Sequence, residues 1–452
     1  MLFSSLEFIF LFLPISVGLY FVLPRRARNA WLLLSGLAFY GFAEPKFLPL
    51  MVLTVALDYS FGLLIERQLK KRKSARALLI LAIALNIGQL AFFKYFAPTE
   101  WGLPVGISFY TFQALSYVID VYRREVSANK NAVDFGAYVV LFPQLVAGPI
   151  VRYSDVEREL RERRHSLLGF AEGMRTFCVG LAKKAILANT AGGVWESLAG
   201  EQSFVGSALA IFFFAMQIYF DFSGYSDMAI GLGRVFGFSF PQNFNYPYTA
   251  KSISEFWRRW HISLSSWFRE YVYIPLGGNR RGRVRTYLNL AITWALTGIW
   301  HGATVNFLLW GLYFAILLII EKAFLEKALK RAPSVLRHAY ALFFIGLGWV
   351  IFVSDGTVVG FDGLACALRL VGVGVNSFIS PYAKYELARA LLLAPLLIIG
   401  ATPLPKRLYL WLKRRFVRFG AIGDVCLPIF ALLLSVAYIV SSGYNPFLYF
   451  RF

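Results

Sequence analysis

Apolar residues run along the chain in long continuous blocks, and short stretches rich in arginine and lysine separate them. The blocks at 103–117 and 307–320 lack the strict alternation of apolar and polar residues that marks a membrane-spanning β-strand. Continuous blocks instead favour α-helices, because a helix satisfies its own backbone hydrogen bonds where no water is present. The pattern therefore predicts an all-α polytopic membrane protein.

The basic stretches predict which ends of these blocks face the cytoplasm, since Lys and Arg accumulate on that side of a membrane. The resulting topology has about 11–12 membrane-spanning helices, the first at about 6–23. The other simple crossings are predicted at 30–43, 47–65, 77–93, 287–300, 304–320, 339–353, 387–402 and 424–441. The first block lacks the basic start and cleavage site of a signal peptide, so we expect a retained span.

The block at 132–151 does not fit a simple crossing, because arginines flank it on both sides. It contains Pro143 and Pro149, each of which removes a backbone donor and crowds the preceding turn of a helix. We therefore predict broken or re-entrant backbone at 142–150, which is tolerated at membrane depth only inside protein or beside a cavity.

A similar conflict arises at 205–240, where we expect a span to end within the polar stretch 219–227. This stretch includes Asp221 and Asp227 but follows no strand, so it does not fit the nucleophile elbow of a serine hydrolase. We expect its polar side chains to line a cavity or to satisfy broken backbone.

Composition and charge agree with a membrane protein and favour membrane lipid over nucleic acid as a partner. Of 452 residues, 58% are hydrophobic and only 16% are charged, and the formal net charge is +21. The basic residues lie in clusters between the apolar blocks, so topology explains them without nucleic acid, and membrane lipid is the expected partner. Three scattered cysteines form neither a disulfide framework nor a metal motif.

The chain shows no fixed-period repeat, no linker and no soluble segment. We therefore predict a single membrane-embedded domain over 1–452. Within it, 251–285 is predicted to be a basic cytoplasmic or interfacial segment, and 443–452 an aromatic extracytoplasmic tail.

His301 lies between Trp300 and Gly302, with no charged residue for several positions on either side. An ionisable side chain at this depth is costly and predicts a functional site. Gly298 and Gly302 leave room for a helix or a substrate. A neutral imidazole can take a proton from a hydroxyl and give it to a leaving thiolate, as acyl transfer from a thioester requires. The alternative is a histidine that only joins two helices.

His261 lies in an aromatic and basic stretch, 254–271, typical of a helix at the membrane interface. One interpretation is a surface helix with an incidental histidine. In the other, Arg258, Arg259 and Trp260 bind an anionic acyl donor, and His261 orients the thioester or acts as a second catalytic group. The two remaining histidines neighbour arginines, and we expect them to be surface residues.

Tyr449 lies in the tail, which topology places outside the membrane. A tyrosine of the interfacial aromatic belt is one explanation. The sharper hypothesis makes its phenol an acyl relay that receives the group and presents it outward.

In several stretches the sequence resembles the membrane-bound O-acyltransferase family. They lie at 1–5, 103–110, 142–149, 219–232, 255–264, 276–279, 300–303 and 444–452. The resemblance implies that His301 is the essential histidine and that His261 is a second invariant polar position. It also implies a ring of spanning helices around a thinned centre, with short re-entrant helices.

The resemblance further implies a bacterial inner-membrane enzyme with no bound cofactor that uses acetyl-CoA or another acyl thioester as donor. The acetyl group would pass to an extracytoplasmic acetyltransferase partner and then to an exopolysaccharide such as alginate. Transfer of D-alanyl or another acyl group to a cell-wall polymer is the alternative within this class. A polymer or lipid transporter is the alternative from another class, although we find no inverted repeat of the kind such transporters show.

Overall fold

The computed structural model of the chain describes residues 2–356, 358, 360–443 and 448, apart from the side chains of Thr99 and Phe419. Over these residues the secondary structure is helical and includes no β-strand. The prediction of an all-α polytopic membrane protein is therefore confirmed.

The chain divides into two compact units that are interleaved in sequence. The first comprises the chain up to Leu181 together with Tyr225–Gln242, and the second comprises Ala182–Gly224 together with the chain from Asn243 onward. One long helix, Phe204–Val235, contributes residues to both. A single domain over 1–452 stays a prediction.

The first unit is built from short and long helices around an aromatic core. Its α-helices are Leu13–Val22, Arg28–Ala43, Leu48–Lys70, Arg76–Ala91, Ile107–Arg123, Ala132–Val139, Phe142–Leu145, Tyr153–Arg161 and Leu167–Ala182. Single π-helical turns at Phe8–Phe12 and Phe92–Phe96 extend two of them. In the core the ring of Phe3 stacks on Tyr225 at 4.5 Å between centroids and lies 4.7 Å from Phe8.

The second unit contains the two histidines of interest. Its α-helices are Asn189–Leu198, Ile253–Trp257, Ile262–Phe268, Arg283–His301, Val305–Ile320, Glu326–Arg331, Ser334–Val353, Gly363–Leu370, Pro381–Arg389, Leu393–Gly400, Leu404–Arg415 and Val417–Ser442. Single π-helical turns occupy Lys183–Ala188, Arg269–Tyr273 and Glu321–Leu325.

Six helices among the described residues are long and apolar enough to cross a membrane. They are Pro45–Lys70, Arg76–Phe96, Phe204–Val235, Val305–Arg331, Ser334–Val353 and Gly420–Ser442, and a shorter apolar helix covers Phe8–Val22. At 1.5 Å per residue, about 20 residues span the hydrocarbon layer. Crossings beyond these six, up to the predicted 11–12, stay a prediction.

The stretch 387–402, predicted as a simple crossing, is not a single helix. The chain forms two short helices there, Pro381–Arg389 and Leu393–Gly400, and neither is long enough to cross. Pro395 explains the break, because it has no N–H to continue the first helix but is tolerated in the first turn of a new one.

The broken backbone predicted at 142–150 is confirmed. A single helical turn, Phe142–Leu145, is followed by irregular backbone in which Gly148 has a φ of +132°. Side chains satisfy the released groups: the Gln144 amide donates to the Tyr138 carbonyl at 2.6 Å, and the Tyr138 hydroxyl donates to the Val151 carbonyl at 3.0 Å. The segment is buried in protein, as irregular backbone at membrane depth requires.

The break predicted within 219–227 is wrong. Phe204–Val235 is one continuous helix of 32 residues. The stretch contains glycine and serine but no proline, and a glycine costs a helix only about 1 kcal/mol against about 3 for proline. Burial of the helix in protein outweighs that cost. Its polar residues therefore do not satisfy broken backbone of their own helix.

Candidate active site

His301 is the last residue of the helix Arg283–His301, which packs closely against the next helix, Val305–Ile320. The close approach depends on glycine, because a Cβ at Gly298 would clash with the main-chain oxygen of Phe307. A Cβ at Gly311 would likewise clash with the main-chain oxygen of Trp294. A neighbouring helix therefore fills the room predicted beside Gly298.

The imidazole of His301 lies among aromatic rings and not toward lipid. His301 is only 6% exposed. Its ring makes edge contacts with Trp310 at 5.0 Å and Phe352 at 5.5 Å, and it lies 4.9 Å from the ring of Trp300. Three large rings thus restrict the orientation of this imidazole.

The chain around His261 departs from the predicted interfacial helix over 254–271, and that prediction is wrong. Two short helices, Ile253–Trp257 and Ile262–Phe268, are separated by a turn that contains His261. His261 has a φ of 43°, in the left-handed region that a non-glycine residue adopts only at a cost. Such strain is characteristic of sites where the surrounding structure determines the position of one side chain.

Asn243 provides the surroundings that hold His261. The Asn243 carbonyl accepts the N–H of Ile262 at 2.9 Å, which fixes the backbone of the turn. Its side-chain Oδ1 accepts the N–H of Ser263 at 3.3 Å and the Ser263 hydroxyl at 2.9 Å. Nδ1 of His261 lies 3.1 Å from the same oxygen.

These contacts determine the tautomer of His261. A backbone N–H can only donate, so the side-chain atom of Asn243 that Ser263 contacts must be the oxygen. Nδ1 of His261 must then be protonated in order to donate to that oxygen. In the neutral ring, Nε2 is consequently the nitrogen that carries a lone pair.

Burial keeps this ring neutral. His261 is 1% exposed, and the loss of solvation lowers the pKa of its imidazole from 6.5 to about 3. A group with such a pKa is a weak proton acceptor near neutral pH. The geometry at His261 therefore suits hydrogen bonding and orientation better than proton abstraction.

Glu321 anchors the other end of the His261 segment. It is buried at the end of Val305–Ile320, and its carboxylate accepts the N–H groups of Ile253 at 2.6 Å and Ser254 at 2.9 Å. The Ser254 hydroxyl also donates to it, at 2.6 Å. A carboxylate at the N-terminus of a helix satisfies donors that the helix cannot. The short helix Ile253–Trp257 is thus attached to the helix pair that carries His301.

Aromatic contacts bring the two histidines together. Trp257 packs against Trp294 at 4.6 Å and Phe314 at 4.9 Å, which joins the His261 segment to both helices of the pair. The ring of Trp300 lies 4.9 Å from His301 and 6.3 Å from His261. The two imidazoles therefore flank one tryptophan in the interior of the second unit.

The predicted donor-binding residues lie in three different environments. Arg258 is exposed. Arg259 donates to the carboxylate of Glu255 at 2.8 Å and to the carbonyl of Asn245 at 3.1 Å, so part of its hydrogen-bonding capacity serves the protein. Trp260 is buried, with Trp349 at 4.8 Å. A role in donor binding stays a prediction for all three.

Tyr449 lies outside the described residues, so its predicted role as an acyl relay stays a prediction. Sequence reasoning also did not find Asn243 and Glu321, which position the His261 segment. Glu321 carried a signal, because it directly follows an apolar block. Asn243 carried none, since a single polar residue in a loop is ordinary.

The chain has helices long and apolar enough to cross a membrane, and two buried imidazoles lie beside one tryptophan. These features define a polytopic membrane protein with an enzyme-like interior. The chain belongs to the membrane-bound O-acyltransferase family, MBOAT, whose sequence pattern matches residues 47–353. It is therefore an enzyme, an O-acyltransferase, and the transporter alternative is set aside.

Named relatives specify the reaction class. The chain is 38% identical over 498 residues to a probable alginate O-acetylase AlgI of Pseudomonas putida, with all of both chains covered. It is 42% identical over 376 residues to the protein of that name from Pseudomonas syringae, covering 78% of this chain and 73% of the relative. A peptidoglycan O-acetyltransferase of Helicobacter pylori is 36% identical over 405 residues, covering 78% and 77%.

Proposed function

We propose that this O-acyltransferase moves an acetyl group from acetyl-CoA at the cytoplasmic face toward a hydroxyl acceptor at the opposite face. The final acceptor in this proposal is an extracytoplasmic polysaccharide such as alginate. The observation that carries the proposal is the pair of buried histidines that flank Trp300. Full-length similarity to a probable alginate O-acetylase supports the acetyl group and the polysaccharide.

In the proposed chemistry His301 is the general base. Its imidazole takes the proton of the acceptor hydroxyl as the hydroxyl oxygen forms a bond with the acetyl carbonyl carbon. The carbon–sulfur bond of the thioester then breaks, and the imidazolium returns the proton to the leaving thiolate. Acetyl-CoA and an alcohol thereby become an acetyl ester and the free thiol.

His261 has a different part in this proposal. Its Nδ1–H is directed to Asn243, so Nε2 is the atom that can face the reacting groups. A neutral ring held in one tautomer orients a substrate or the catalytic base without exchanging protons itself. Exposed Arg258 is the candidate contact for the anionic part of the donor.

The proposal places the chain in a bacterial inner membrane. An extracytoplasmic acetyltransferase partner accepts the group and modifies the polysaccharide, either directly or after relay through Tyr449. The basic residues of 251–285 support a cytoplasmic donor side, because Lys and Arg accumulate on that side of a membrane.

Acetyl transfer by a His301→Ala variant tests the assignment. With radiolabelled acetyl-CoA and purified protein in lipid nanodiscs, we expect the transfer rate to fall by about 10²–10⁴-fold, the usual contribution of general base catalysis. His165→Gln is the matched control, because His165 is half-buried in the other unit and should retain the rate. Full activity of His301→Ala would falsify the role of this histidine.

A further inference from the structure

A buried ion pair in the second unit has no part in the chemistry described above. Nζ of Lys184 lies 2.7 Å from Oδ1 of Asp221, and the two side chains are only 1% and 3% exposed. Lys184 also donates to the side-chain oxygen of buried Asn189 at 2.9 Å. Such a pair is costly to desolvate, and apolar residues of similar volume are often as stable or more so. Asp221 lies within Phe204–Val235, a helix long and apolar enough to cross a membrane, and a buried charge in such a helix indicates a specific task.

The hydrogen bond that the second carboxylate oxygen of Asp221 accepts indicates what this task is. Oδ2 accepts the backbone N–H of Leu448 at 2.9 Å, across a separation of 227 residues in sequence. Leu448 is only 5% exposed, and it belongs to the same buried cluster as Trp260 and Trp310. The C-terminal segment is therefore held at this point by one charge-assisted hydrogen bond and one buried side chain.

The place of Asp221 along its helix makes this contact informative. It lies near the middle of Phe204–Val235, about 26 Å from the first residue at 1.5 Å per residue. The preceding helix, Val417–Ser442, packs against the turn Lys183–Ala188 that carries Lys184.

We propose that Lys184 and Asp221 form a receptor for the C-terminal segment of the same chain. Asp221 accepts the backbone amide of Leu448, and Lys184 neutralises and orients the carboxylate. The chain thereby holds Leu448 in the buried cluster that also contains Trp310, a ring neighbour of His301. Lys184 and Asp221 are positioning residues, since they act through the tail.

This inference deepens the proposed function. Any effect of the receptor on catalysis rests on that function. Tyr449 directly follows Leu448 in the sequence, so a receptor that holds Leu448 would restrict the range of positions open to the proposed relay hydroxyl. Docking itself can be measured without any acetyl transfer.

Hydrogen–deuterium exchange of the C-terminal peptide in the full-length protein tests the receptor. Single substitutions would leave a buried charge without its partner and could unfold the protein. Two neutral double variants avoid this: Lys184→Met with Asp221→Asn keeps an oxygen acceptor, and Lys184→Met with Asp221→Leu removes it. We expect the Leu448 amide to exchange about tenfold faster in the Leu variant, since a buried donor loses its acceptor.

Lys413→Met with Asp424→Leu is the matched control, because it removes a partly exposed ion pair of 2.5 Å elsewhere in the second unit. This control should exchange like the wild type. Equal exchange in the Asn and Leu variants would overturn the receptor, whatever their activity. If the Leu448 amide exchanges slowly in the wild type but no acetyl transfer is detected, the receptor is supported and the proposed function is rejected.

Discussion

The two histidines are held by opposite means. His301 ends a long helix and is surrounded by aromatic rings, and two glycines bring its helix against the next one. His261 lies in a turn between two short helices, where Asn243 and Glu321 provide polar anchors. The first region depends on packing and the second on hydrogen bonds.

This difference suggests a division of labour. A base that changes its protonation state during each cycle must keep its place in both states of the ring, and packing against aromatic rings provides this. A group that orients substrate gains from such a bond, because one tautomer and one ring position are then favoured. Variants that weaken each type of support separately test the comparison.

The largest expected effect is on the helix pair. Gly311→Leu places a side chain against the main chain of Trp294, and we expect a loss of about 3 kcal/mol or more in the free energy of unfolding. Thermal unfolding in detergent micelles measures it. Gly88→Leu is the control, since no atom lies within 4 Å of a Cβ at Gly88. Equal melting temperatures for both variants would contradict packing as the support of His301.

Loss of the carboxylate anchor should come next. Glu321→Ala leaves the amides of Ile253 and Ser254 without their acceptor, and we expect a cost of about 2–3 kcal/mol. Glu326→Ala is the matched control, because its pair with Lys330 is exposed and screened by solvent, so its loss should change stability little. Comparable melting temperatures for the two variants would show that Glu321 does not anchor the segment.

Orientation of His261 should be measurable in the catalytic rate. Asn243→Ala removes the acceptor of Nδ1–H, and we expect kcat to fall about 10–100-fold with little change in KM, as for other oriented histidines. Asn243→Asp keeps an oxygen acceptor and should recover most of the rate, with an altered pH profile. Exposed Asn376→Ala is the control. An unchanged kcat in Asn243→Ala would remove the positioning role.

The smallest effect concerns acid stability. The pKa of His261 is about 3 in the folded protein and about 6.5 when solvated, so the unfolded state binds an extra proton between these values. Stability should therefore fall by about 1.4 kcal/mol per pH unit as pH drops below 6.5. Melting temperatures of wild type and His261→Gln from pH 7.5 to 5.5 measure this contribution. Parallel curves would argue against a buried neutral ring.

The breaks in the helices show how far sequence patterns reach. Proline predicted the irregular backbone at 142–150 correctly, because its missing donor acts locally. The same reasoning, applied to glycine, serine and aspartate at 219–227, predicted a break that does not exist. These residues weaken a helix only slightly, so burial of the whole helix decides. At 387–402 Pro395 interrupts the helix that the apolar block predicts.

Sequence alone determined the all-α membrane class, through its apolar blocks, and the acyltransferase family, through resemblance, and it singled out two histidines as candidates because an isolated ionisable residue in an apolar stretch is costly. Only the tertiary structure decided that Asn243 selects the tautomer of His261, that Glu321 anchors its segment, and that Asp221 meets the amide of Leu448. These contacts join residues distant in sequence, and a buried polar group takes whatever partner the fold places beside it.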